Sequence, residues 1–221
     1  MSTDVPRLAF LVDVDNTLLD NDRVKQDLTA ASDRLLGPTG SRRFWELYEE
    51  VRERRDYVDF PHTLRRYSQE FPHATGFARL ADEVLSYPYG NAVFPAAHDV
   101  LRYATTFGPV AILSDGDPVY QPAKVARAGF TDDISGPVLI FDHKEDHLDE
   151  VQRRMPADRY VIIDDKPRIL EAVRERLGDR VTTVHVCQGK HAHADEHGTC
   201  DSADHDVDAI GDILSLDLST L

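Results

Sequence analysis

Three observations predict an α/β fold, a doubly wound parallel sheet carrying an inserted α-helical segment. Short β-branched-rich runs alternate with stretches of helical spacing. The runs are almost continuously apolar, as strands covered on both faces are. The first of them stops abruptly at a pair of aspartates. Strand alternating with helix means a parallel sheet with helices on both sides, and such sheets bind ligands outside the carboxyl ends of their strands.

The first run, residues 8–12, leads into Asp13-Val14-Asp15-Asn16-Thr17. Residues two apart on an extended strand share a side, so Asp13 and Asp15 would present two carboxylates together. Like charges held that close need a cation or a proton. Residues 22–36, 41–55, 62–71 and 77–85 then read as four helices with no strand among them. Gly37-Pro38, Phe60-Pro61 and Tyr87-Pro88 mark the breaks. From residue 92 the alternation resumes, with strands at 109–113, 137–141, 160–163 and 181–186 and helices at 96–106, 119–128, 145–154 and 169–177. Residues 207–214 have the spacing of a closing helix. The expected organisation is a core of about five strands formed by residues 1–19 and 92–221, with a helical lid, residues 20–91, over the sheet edge.

The formal charge of −15 argues against a nucleic-acid partner, because affinity for a phosphate backbone comes from Lys and Arg. From His185 onward eight acidic residues face only Lys190, so the surplus concentrates in the tail. No apolar run has the length of a membrane span, and the run after the polar residues 1–7 is too short for a signal peptide. Cys187 and Cys200 are the only cysteines, which does not suggest a disulfide framework. A cytoplasmic enzyme with a small-molecule partner is the expectation.

Four segments carry the chemistry. The first is Leu11 through Leu18, with Asp13, Asp15 and Thr17. The second, Val110-Ala111-Ile112-Leu113-Ser114-Asp115-Gly116, is a strand ending in a small hydroxyl residue. A hydroxyl with free backbone N–H groups at such a turn can hold phosphate oxygens. The third is Lys144, just after the strand ending at Phe141, with Lys124 as its rival. The fourth, Tyr160-Val161-Ile162-Ile163-Asp164-Asp165-Lys166, is a buried-looking strand delivering two adjacent acids, of which a straight strand would point only one at a shared ligand.

In this order the segments resemble the haloacid dehalogenase-like (HAD) superfamily over residues 8–186, the lid matching only in position and helical character. The resemblance implies a HAD-like Rossmannoid core with an inserted cap. It makes Asp13 a nucleophile that carries a phosphoryl group as an aspartyl phosphate. Asp15 would protonate the leaving oxygen and later activate water. Ser114 and Asp115 would bind phosphate with Lys144, which also neutralises Asp13. Aligned on the family's form, Asp165 is the direct metal ligand and Asp164 supports it. The commoner pattern has a further acid three or four residues on, where Arg168, Ile169 and Leu170 stand here.

Oxygen-only ligands on a dianionic substrate favour Mg²⁺, held by Asp13, the backbone carbonyl of Asp15 and Asp165. Without a cation, each carboxylate pair at about 4 Å costs about 4 kcal/mol at an effective dielectric of about 20. The expected activity is hydrolysis of a small phosphate monoester. The alternatives are a haloacid-type dehalogenase, which has no leaving oxygen to protonate and usually lacks an acid at the position of Asp15, and a non-catalytic ligand-binding member of the fold.

Other features have plainer readings. His191, His193, His197 and His205 with Cys187 and Cys200 could assemble a zinc site, but no C-x-x-C pair exists and a solvated acidic loop is the default. Arg42, Arg43, Arg52, Arg54, Arg55, Arg65 and Arg66 alternate with acids at helical spacing, so ion pairing along exposed faces accounts for most of them. Phe44, Trp45, Tyr48 and Tyr57 are expected to pack lid helices together.

Overall fold

The computed structural model describes residues 7–55, 57–189 and 203–221. Its sheet is wholly parallel, and its strands lie in the order β3-β2-β1-β4-β5-β6. They are β1 (Leu8–Val12), β2 (Val110–Asp115), β3 (Val138–Phe141), β4 (Arg159–Asp164), β5 (Val181–Val186) and β6 (His205–Val207). The chain lays down β1, builds outward through β2 and β3, and then returns to set β4 on the other side of β1. The order therefore reverses at β1 and β4, which pair in register from Leu8 with Arg159 to Val12 with Ile163. Open α/β sheets bind ligands at such a reversal, outside the carboxyl ends of the strands.

Alternate residues of each strand feed two cores. Phe10, Val12, Ile112, Val161 and Ile163 pack on one face, and Ala9, Leu11, Ala111, Leu113 and Ile162 on the other. Both faces are buried, which is why the strands read as unbroken apolar runs. Helices α4 (Ala97–Thr105) and α5 (Tyr120–Arg127) contribute to the first face, α6 (Leu148–Arg154) and α7 (Pro167–Leu177) to the second.

Between β1 and α4 the chain forms α1 (Asn21–Arg55), α2 (Phe60–Glu70) and α3 (Phe77–Leu85). Two separate helices were expected where α1 runs. Its backbone is non-helical at Gly37 (φ 70°, ψ 170°), with Pro38 following, so the break lies where the sequence places it although the two halves run on as one element. The ends of this insertion are tied side by side: Leu19 bridges Val93, Asp20 N–H donates to Ala92 O at 2.8 Å and Phe94 N–H donates to Leu18 O at 3.0 Å.

The expected closing helix at residues 207–214 is corrected. His205–Val207 is a sixth, three-residue edge strand beside β5, followed by a 3-10 segment, Ile210–Ser215. A strand this short and this polar carries no alternation to read, and only pairing with β5 defines it. Among the described residues, no helix is long and apolar enough to cross a membrane.

Candidate active site

The site starts where β1 ends. Asp13 N–H still donates to Ile163 O at 2.9 Å, and then the backbone turns back on itself: Leu18 and Leu19 N–H both donate to Val14 O at 2.9 Å, and Asn16 takes a left-handed conformation (φ 62°). This turn buries Asp13, Asn16 and Thr17. Thr17 Oγ1 lies 3.4 Å from Asp13 Oδ2, and Asn16 Oδ1 accepts from Asn21 N–H at the start of α1.

Asp13, Asp164 and Asp165 converge, each offering an oxygen within 4.8 Å of the others, and all three are buried. Lys144 reaches them from the short 3-10 segment after β3. Its Nζ, fully buried, sits 2.6 Å from both Asp13 Oδ1 and Asp164 Oδ2. Burial alone would lower the lysine, but Asp13, Asp164 and Asp115 outweigh it and hold Lys144 above its ordinary value. Of the two lysines weighed, Lys144 lies against Asp13 and Asp164, and Lys124 lies against Asp15.

Adjacent Asp164 and Asp165 were expected to face opposite ways, yet both join the cluster. β4 ends at Asp164, so Asp165 lies in the bend that follows, free of strand alternation. The pair divides its work. Asp164 is engaged by Lys144 and accepts from Lys166 N–H at 2.9 Å. Both oxygens of Asp165 are buried and, among the described residues, have no hydrogen-bond partner. Burial, with Asp164 and Asp13 nearby, pushes the Asp165 carboxyl up to about 9, and burial, only partly offset by Lys144, pushes Asp13 up to about 6. Three carboxylates around one ammonium leave excess negative charge that a cation would relieve. Two orphaned, buried oxygens on Asp165 fit a hard divalent ion.

Asp15, like Asp13, lies beyond the end of β1, so strand alternation does not govern it. Its side chain lies outside the acid cluster and is engaged by Lys124 Nζ, with Gln121 Nε2 donating at 2.9 Å. Although burial opposes it, Lys124 and Gln121 hold the Asp15 carboxyl below its usual range. Asp115 Oδ1 accepts from Lys144 N–H at 2.8 Å, which helps to place the lysine. Ser114 is buried at the carboxyl end of β2, with Gln121 Nε2 donating to its Oγ at 3.1 Å.

Sequence reasoning missed Gln121, and it weighed Lys124 only for the place Lys144 holds. The two lie three apart on α5, on one helical face, and that spacing just beyond Ser114 was the available signal. Lys124 is 5% exposed, lies 3.3 Å from Asn21 Oδ1 and stands 5.5 Å above the ring of Tyr89. From there a chain of rings, Tyr120, Phe60, Tyr48 and Trp45, leads into the inserted helices. The arginines of that region behave as expected: Arg43 pairs with Glu46, Glu50 and Glu70, and Arg66 with Glu50. Of the residues that could have assembled a zinc site, His191, His193, His197 and Cys200 lie outside the described residues.

No protein-family model matches the chain, and no curated protein does. Among solved structures, a haloacid dehalogenase-like hydrolase from Burkholderia xenovorans is 43% identical, with a TM-score of 0.88 over 96% of this chain and 97% of that one. An L-2-haloacid dehalogenase from Xanthobacter autotrophicus has a TM-score of 0.61 at 20% identity over 94% and 97% of the two chains. A Bacillus subtilis HAD-hydrolase bound to magnesium has a TM-score of 0.58 at 12% identity over 95% and 98%. The last two share the fold. With the first alike over nearly its whole length, and with the acids and lysine gathered at the strand ends, the chain belongs to the haloacid dehalogenase-like hydrolases.

Proposed function

We propose that this hydrolase is a Mg²⁺-dependent phosphatase of small phosphate monoesters, working through an aspartyl phosphate on Asp13. The observation that carries the reading is the buried convergence of Asp13, Asp164 and Asp165 around Lys144, with both oxygens of Asp165 unpartnered. Carbon–halogen cleavage asks only for a nucleophilic carboxylate and needs no such excess of buried acid. Asp165, Asp13 and the backbone carbonyl of Asp15 would hold the ion, which supplies charge neutralisation to the phosphate oxygens and to Asp13.

Asp13 attacks phosphorus, the ester oxygen leaves, and water later displaces Asp13 to release phosphate. Lys144 keeps Asp13 ionised and accompanies the charge that moves onto the phosphoryl oxygens. Ser114 Oγ donates to one of those oxygens. Asp15 would make both proton transfers, giving a proton to the leaving oxygen and recovering one from the attacking water. The first transfer requires a protonated Asp15, so Lys124 moves to the entering phosphate and Asp15 takes up a proton from solvent before the ester oxygen leaves. The second is favoured by the ionised form that Lys124 and Gln121 support in the resting chain.

Phosphate release from a panel of phosphorylated metabolites, measured with Mg²⁺, after chelation and after add-back, tests the reading. Metal-independent release of halide from 2-haloacids, with no phosphate released from any ester, would replace it with the dehalogenase alternative.

A further inference from the structure

A second cluster of metal-ligating side chains lies two strands from the nucleophile. Asp164, His185 and Asp206 are direct neighbours across β4, β5 and β6. His185 and Cys187 are two apart along β5 and its exit, so they share a face. One atom from each of His185, Cys187 and Asp206 falls within 4.8 Å of the others. His185 Nδ1 is 2.9 Å from Asp206 Oδ1 and 3.3 Å from Cys187 Sγ.

A ring nitrogen carries one hydrogen or one lone pair, so Nδ1 cannot serve both neighbours fully. Nor is the trio a relay of thiol, imidazole and acid, which needs the thiol and the acid on opposite nitrogens. A cation at the shared point satisfies all three donors together. The tautomer it requires is available: His185 is 6% exposed and, among the described residues, its Nε2 has no hydrogen-bond partner that would force the proton onto Nδ1.

We propose that His185, Cys187 and Asp206 form a second metal site, selective for zinc or a similar divalent transition ion. On binding, Cys187 releases its thiol proton to solvent and ligates as thiolate. The donor set sorts the two sites. Three carboxylates take a hard ion, while imidazole, thiolate and one carboxylate take a borderline one and leave the fourth tetrahedral position to water at the exposed Asp206 side. The ion fastens the three-residue edge strand β6 to β5. It also anchors the stretch from which Gln188 donates to Thr17 O at 2.6 Å and accepts from Ile210 N–H at 3.1 Å. The site does not depend on the phosphatase reading.

Titrating cobalt(II) into the metal-stripped full-length chain, made without a metal-affinity tag, tests the site. A single equivalent should give a thiolate-to-cobalt charge-transfer band that zinc abolishes and excess Mg²⁺ does not. Cys187→Ser should lose the band, Cys200→Ser should keep it, and His185→Gln and Asp206→Asn should each weaken cobalt binding at least about tenfold. Absence of the band in the wild-type chain, its survival in Cys187→Ser, or its loss in Cys200→Ser would overturn the proposal. Asp206 is on the rim, so its variant guards against misfolding: unchanged cobalt affinity in a folded Asp206→Asn chain would overturn the proposal as well.

Discussion

Lys124 Nζ rests on the carboxylate of Asp15, tying a helix that follows β2 to the turn that follows β1. Replacing Lys124 with Met removes the partner that depresses Asp15, so the carboxyl rises. The acid limb of the pH–rate profile, where Asp15 must be ionised to act as base, should then move to higher pH. Turnover should fall on the order of tenfold or more, within the range of a mispositioned acid–base group. Steady-state rates across pH with saturating Mg²⁺ check this, and an unmoved acid limb would separate Lys124 from Asp15 in catalysis.

Asp13→Asn should abolish turnover, by on the order of a thousandfold or more, because the amide cannot attack phosphorus. Substrate should still bind, which isothermal titration of the variant with a turned-over ester can show. Residual turnover near wild type would move the nucleophile elsewhere.

The acid cluster makes metal-free stability depend on pH. The folded Asp165 carboxyl lies at about 9, above the ordinary 3.8, so the folded state holds a proton that the unfolded state gives up. The contribution of Asp165 to stability is therefore full below about 4 and is lost as pH rises through about 9. Asp165→Asn should flatten this decline, and Mg²⁺ should stabilise the wild-type chain more at pH 8 than at about pH 5. Thermal melts with chelator and with Mg²⁺ give both comparisons.

Lys144→Met strands Asp13 and Asp164 without their shared buried counter-charge. Removing one partner of a buried ion pair costs about 3–5 kcal/mol. Urea unfolding of the metal-free variant should show a loss of this order, and activity should disappear with it. A stability within 1 kcal/mol of wild type, as for an exposed pair, would mean that the lysine is not needed to balance the cluster.

The five longer strands, the helical insertion and the four segments of the site were legible because burial on two faces and abrupt acidic strand ends leave marks along a single stretch of chain. Lys144 was preferred to Lys124 on the family resemblance, from its place after the third strand and ahead of Asp164. What could not be read was set by contacts between distant segments. The bend that frees Asp165 from strand alternation, the turn of Asp115 toward Lys144 N–H, and the pairing of His205–Val207 with β5 all depend on neighbours remote in sequence. Cys187 illustrates the point: nearby histidines in sequence drew attention, while its partners are His185 beneath it and Asp206 on the next strand.

Gly189, at φ +72°, lies so close to the turn after β1 that a Cβ there would come within 2.8 Å of Asn16 Cβ, and Gln188 beside it grips Thr17. The turn that follows Asp13 is thus braced by a segment 171 residues further along the chain, and Ser114, Lys144 and Asp165 are also far from Asp13 in sequence. The acid cluster is therefore assembled only when these distant segments have come together, so the site forms with the fold and not before it.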